Sequence, residues 1–146
     1  MPETTQFCTF RVDDLFLGID VQRVQEVIRS LEITSVPLAP SSVEGLINLR
    51  GQIVTAIDLR RRLGLTSRLS EHEPMHVVVR GDDGAVSLMV DSIEDVIEVD
   101  PRDFERVPES IEPSVRDLLA GVYKLDTGLL LALQTDRAVA VTTATI

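Results

Sequence analysis

Aromatic residues are nearly absent: they make up 3% of the 146 residues, and none is a tryptophan. Val, Leu and Ile must therefore build most of the core. There is one cysteine, so no disulfide framework can form within the chain. That residue, Cys8, lies in the strand-like run Phe7-Cys8-Thr9-Phe10 and reads as a small buried hydrophobe. Positive charge is scarce as well, with Lys and Arg totalling 14 against 24 Asp and Glu, a formal net charge of -10. A surface of that sign repels nucleic-acid backbones and anionic membranes, which argues against nucleic acid as a partner. No apolar run approaches the roughly 18–20 residues a membrane helix needs. The opening MPETTQF lacks the charged and apolar regions of a signal peptide. The expectation is a cytoplasmic protein without direct membrane insertion.

The usual chemical toolkits are missing too. There is no G-x-S-x-G elbow, Walker loop, G-x-G-x-x-G or clustered Cys/His set. His72 and His76 have metal-site spacing, but Pro74 lies between them, so they read as solvated linker histidines. Asp13-Asp14 and Glu94-Asp95 are adjacent rather than facing carboxylates, in turns that cannot split their pKa values. No cofactor, metal or catalytic residue is expected. The chain reads as a binding surface.

What is present is a rhythm of short strands. Cys8, Phe10 and Val12 share a face, Asp13-Asp14 breaks the run, and Leu15, Leu17 and Ile19 resume it. Gln25 to Leu31 is ambiguous between helix and strand. Pro37 and Pro40 rule out regular structure across residues 36–41. Ser41 to Glu44 has capping-box spacing and predicts one helical turn before Gly45. Leu46–Leu49 and Ile53–Ile57 pair around Arg50-Gly51-Gln52, and Asp58 is placed to cap a short basic helix ending at Gly64. Residues 66–74 form a polar linker. Beyond it a hairpin spans residues 77–90, and residues 92–99 are helical or extended. Ser114 to Ala120 predicts a helix stopped by Gly121, and a last hairpin surrounds Asp126-Thr127-Gly128. The expectation is an all-β single domain over residues 1–146, built as a pair of small barrels, with lobes near residues 13–69 and 75–134.

Val24-Gln25-Glu26-Val27, Gly45, Asn48-Leu49-Arg50-Gly51 and Ile57-Asp58-Leu59-Arg60 resemble the CheW family of bacterial chemotaxis coupling proteins. The resemblance covers roughly residues 6–137, and its N-L-R-G…D-L-R block is the most specific part. It implies two small five-stranded SH3-like barrels on a shared core, and a non-enzymatic adaptor, monomeric when isolated. Its partners would be the cytoplasmic hairpin tip of a chemoreceptor and the regulatory domain of the histidine kinase CheA. It further implies a receptor-binding groove lined by Val24, Glu26, Gly45, Arg50, Val96 and Gly121. Asn48, Leu49, Gly51, Asp58, Leu59 and Arg60 would be the structural motif. Thr55 stands where the family commonly has proline, and Phe104 does not align clearly with the family's second-lobe aromatic.

Other readings stand beside these. Arg50 could be an ordinary hairpin arginine bonded to carbonyls at a barrel seam. Gly45, Gly51 and Gly121 are explained by positive φ or close backbone approach, and Arg60-Arg61-Arg62 by a solvated helix face. The alternative functions are an adaptor of a paralogous pathway serving pili or another output, a small-ligand-binding barrel, and a self-assembling structural domain.

Overall fold

The structure, a computed structural model, describes residues 5–29, 31–65 and 73–140. Alternating Val, Leu and Ile produce strands almost throughout. β1 (Thr5–Val12) and β2 (Leu15–Asp20) form a hairpin, and a 3-10 turn at Val21–Arg23 leads to β3 (Val24–Ile28). A second hairpin pairs β4 (Val43–Leu49) with β5 (Gln52–Asp58), and a third pairs β6 (Met75–Gly81) with β7 (Gly84–Val90). β8 (Ser92–Val99) and the two-residue β9 (Phe104–Glu105) precede the last hairpin, β10 (Leu119–Leu125) with β11 (Gly128–Leu133). The helices are short: α1 (Leu59–Arg62), α2 (Pro113–Arg116) and α3 (Thr135–Val139).

Two sheets result, ordered β8-β1-β2-β11-β10-β9 and β3-β6-β7-β5-β4. Each joins two hairpins through a parallel contact, β2 with β11 in one and β5 with β7 in the other. The strand after a hairpin then crosses over. β3 follows the β1–β2 hairpin but pairs with β6, whereas β8 follows the β6–β7 hairpin but pairs with β1. The sheets therefore do not divide the chain at residues 66–74, as the expected lobes 13–69 and 75–134 do. One sheet takes its strands from residues 24–90, and the other from residues 5–20 and 92–133. Reciprocal exchange of an edge strand preserves the rhythm of two halves while interlocking them.

Both sheets curl. Val99 ends β8 and Phe104 begins β9, a reach of at most about 18 Å, although a flat sheet would hold these outermost strands about 24 Å apart. In the other sheet, Glu26 on one edge strand meets Arg50 beside the opposite edge strand. The curl creates three apolar interiors. Ile47, Leu49, Val54, Ala56, Val78 and Met89 fill one sheet's hollow, and Phe7, Val99, Tyr123, Leu130 and Ala132 fill the other's. Between the sheets lies the largest cluster, which includes Phe10, Leu17, Ile57, Val77, Val79, Leu88, Val122 and Leu131. Successive residues of one strand serve different interiors, as Val78 does between Val77 and Val79. That is why these strands read as unbroken apolar runs. The all-β expectation of small barrels on a shared core holds, with six strands rather than five in one sheet once β9 is counted.

Several local expectations are corrected. Ser41 to Glu44 makes no helical turn, because pairing of Val43 with Ile57 draws the backbone into β4. Gly121 does not stop a helix: α2 ends at Arg116, and Gly121 sits inside β10, opposite Ala132 and next to a register shift. The two ambiguous segments are strands, β3 and β8. Cys8 is buried, as expected, and burial pushes its thiol pKa up.

His72 lies outside the described residues, but His76 is no solvated linker residue. It is wholly buried in β6, with Nδ1 2.8 Å from the Ser87 hydroxyl and Nε2 without a partner. Burial lowers its pKa from the ordinary 6.5. An unfolded chain therefore takes up this proton first as pH falls. Stability is expected to drop below about pH 6.5, by at most about 1.4 kcal/mol per pH unit for one group, until the folded pKa is passed. Urea unfolding at several pH values, for the protein and for His76→Leu, checks this: the variant should lose that part of the slope.

Candidate functional site

The β4–β5 hairpin closes through Arg50-Gly51, with φ angles of 54° and 88°. Two positive φ values in a two-residue loop are what a type I′ turn requires, and Asn-Gly or Gly-Gly are its natural fillers. Asn48 supports the turn, its Oδ1 accepting from the Gly51 N–H at 2.8 Å, and Leu49 anchors it in an apolar interior. Arginine at the first position is costly: a left-handed non-glycine residue loses about 1–2 kcal/mol. Its guanidinium donates to Glu26 Oε2 rather than to seam carbonyls, and its side chain stays 69% exposed. An exposed ion pair returns at most about 1 kcal/mol. Fold stability alone does not account for arginine at this corner.

The remaining groove candidates divide between the sheets. Val24 and Glu26 lie on β3 beside a register shift, and the Val24 carbonyl accepts from Arg80. Gly45 lies in β4, where a Cβ would stand 2.3 Å from the Thr34 carbonyl oxygen. This glycine admits the chain's own backbone. Val96, 54% exposed, is on β8 of the other sheet. Gly121 is on β10, which β1, β2 and β11 separate from β8 in hydrogen-bonded order. A Cβ at Gly121 would meet the Phe104 ring at 2.3 Å. Phe104 in turn stands edge-on to Tyr123, with ring centroids 5.2 Å apart. Within this set, the structure joins Glu26 to Arg50 by a side-chain bond.

The motif residues after β5 hold the sheets together. Asp58 caps α1 by accepting from the Arg60 N–H at 3.0 Å, and Leu59 is fully buried. Arg60 reaches Asp13 in the β1–β2 turn and Asp91, the single residue between β7 and β8. Asp91 also accepts from the Asp13 N–H at 2.7 Å. A cation on one sheet's helix thus fastens a turn of the other sheet at the crossover. The solvated-face expectation for Arg60-Arg61-Arg62 fails for Arg60 and Arg62, whereas Arg61 stays exposed. The Arg60 side chain is 13% exposed, Arg61 pairs with Glu44 and Asp58, and Arg62 donates to the Arg137 carbonyl. Arg60→Met is expected to cost about 1.5–3 kcal/mol, because it removes a charged donor from half-buried Asp91 and from the more exposed Asp13. Adding Asp91→Asn should cost less than the sum of the single changes, measurable as a double-mutant cycle in urea.

The sequence reading missed several exposed apolar side chains, among them Val27, Leu38, Ile53, Phe104 and Leu129. Phe104 and Leu129 carried a signal, being large apolar residues beside proline- or glycine-marked turns. It missed buried His76 as well, although Met75-His76-Val77-Val78-Val79 has the unbroken form of a strand covered on both faces.

A family model described as CheW-like domain matches residues 6–142. The chain is 29% identical over 135 residues to the chemotaxis protein CheW of Treponema pallidum, covering 90% of this chain and 79% of that protein. It is 28% identical over 134 residues to the chemotaxis protein CheW of Helicobacter pylori, covering 92% and 81%. Among solved structures, it is similar to the scaffolding protein TtCheW from Thermoanaerobacter tengcongensis. That likeness has a TM-score of 0.85 and 25% identity, covering 100% of this chain and 94% of the other.

Proposed function

This chain belongs to the CheW-like domain family, and we propose that it is a chemotaxis scaffold adaptor joining the cytoplasmic tip of a chemoreceptor to the regulatory domain of the histidine kinase CheA. The observation that carries the receptor half is Arg50, held outward at a positive-φ corner and bonded across the sheet edges to Glu26. In this reading a receptor helix lays its apolar stripe beside that pair, and the arginine fork sets its register. Val24, Gly45, Val96 and Gly121 complete the groove, the glycines acting through the close packing they permit. The kinase domain docks elsewhere, barrel against barrel. The adaptor performs no chemistry, works in the cytoplasm at receptor arrays, and is monomeric when isolated.

Titrating the protein separately with a receptor hairpin fragment and a kinase regulatory domain tests this. Each should bind. The kinase interface, if apolar and of ordinary size, buries about 800 Å² per partner and should survive about 0.3 M salt, where exposed charge pairs are screened. Complete loss of kinase binding at physiological ionic strength would contradict the apolar interface.

A further inference from the structure

The chain carries 24 acidic residues, and its clustered arginines use them. Arg60 meets Asp13 and Asp91, while Arg61 meets Glu44 and Asp58. Arg62 has no such partner among the described residues. Its Nη2 donates to the Arg137 carbonyl at 2.5 Å, and its Nε is buried with no hydrogen-bond acceptor. A cation half withdrawn from water is unfavourable unless an anion or a full set of acceptors meets it. Burial accordingly lowers the Arg62 pKa.

The same side chain lines an open, mainly polar cleft with Arg61, Pro40, Ser41, Ser42 and Ala140. Arg61 brings little unmatched charge, because Glu44 and Asp58 already face it. The two serines add hydroxyl groups, which donate readily to an anionic oxygen. We infer that this cleft binds a single oxyanion group, a carboxylate or a phosphate, with Arg62 supplying the charge and Ser41 and Ser42 supplying further donors. With Nη2 on the Arg137 carbonyl and Nε buried, Nη1 is the Arg62 donor left for the oxyanion, planar or tetrahedral. The site is separate from the Arg50 corner. The two stand at opposite ends of β5, whose seven residues span roughly 23 Å.

Calorimetric titration of the full chain with inorganic phosphate, and separately with acetate, tests this and tells the two sources apart. The expected result is saturable binding of at least one probe in the millimolar range, abolished in Arg62→Gln. Ser41→Asp gives an independent arm that needs no loss of the arginine. It places a carboxylate beside the stranded cation, so it should raise the melting temperature by a few degrees and block the probe. The inference is overturned if neither probe binds, if Arg62→Gln binds as well as the unaltered chain, or if Ser41→Asp lowers the melting temperature.

Discussion

Arg50→Gly is expected to leave the melting temperature unchanged or raised, while weakening a receptor hairpin fragment about thirtyfold. The two halves of this result have different origins. Glycine is at ease at a φ of 54°, so the substitution relieves about 1–2 kcal/mol of backbone cost. It gives up an exposed ion pair to Glu26 worth at most about 1 kcal/mol. The receptor complex loses more, because truncating an arginine at the centre of an interface can cost about 2 kcal/mol or more, and each 1.4 kcal/mol is about tenfold in affinity. Kinase-domain affinity should change little in the proposed arrangement, which places the kinase on another surface. Arg50→Ala is the less decisive variant, because alanine inherits the strained turn. If Arg50→Gly lowers the melting temperature and both affinities together, the arginine belongs to the architecture.

The second large effect lies on a glycine. Gly45→Ala is expected to destabilise the fold by about 3 kcal/mol, near 10 °C in melting temperature for a chain of this size. A Cβ there would lie 2.3 Å from the Thr34 carbonyl oxygen and 2.7 Å from Ile33 Cγ2. The first is backbone, and Thr34 is paired with Leu46 in both directions, its N–H donating to the Leu46 carbonyl at 2.9 Å and its carbonyl accepting from the Leu46 N–H at 2.8 Å. Neither backbone segment can retreat without breaking that pair. Gly51→Ala makes a useful contrast, because no atom stands within 4 Å of its would-be Cβ and only the φ of 88° opposes the change. Its cost should stay near 1–2 kcal/mol. Thermal melts of the two variants side by side separate a packing glycine from a turn glycine.

Much of this architecture is legible in the sequence. Period-two alternation located four hairpins, and Asp58 and Gly64 marked the ends of the basic helix, where the structure has the Asp58 cap and a φ of 79° at Gly64. What alternation cannot express is which strands pair at long range. A period-two pattern records that a face is buried, not what buries it. β3 and β8 could therefore exchange sheets without leaving a trace. The same limit explains Arg60, whose charge reads as solvated until Asp13 and Asp91 are brought to it from 47 and 31 residues away. Gly121 failed for a related reason. Its need for a missing Cβ comes from Phe104, a neighbour that only the pairing of β9 with β10 supplies.

One small protein is proposed to hold two partners on separate surfaces. This is tested most directly by sedimentation velocity on an equimolar mixture of this chain, a receptor hairpin fragment and a CheA regulatory domain, against each pairwise mixture. The account predicts a ternary boundary heavier than either binary complex, lost for the receptor alone when Arg50 is replaced by glycine. Mutually exclusive binding, with each partner displacing the other and no ternary species at any ratio, would contradict it.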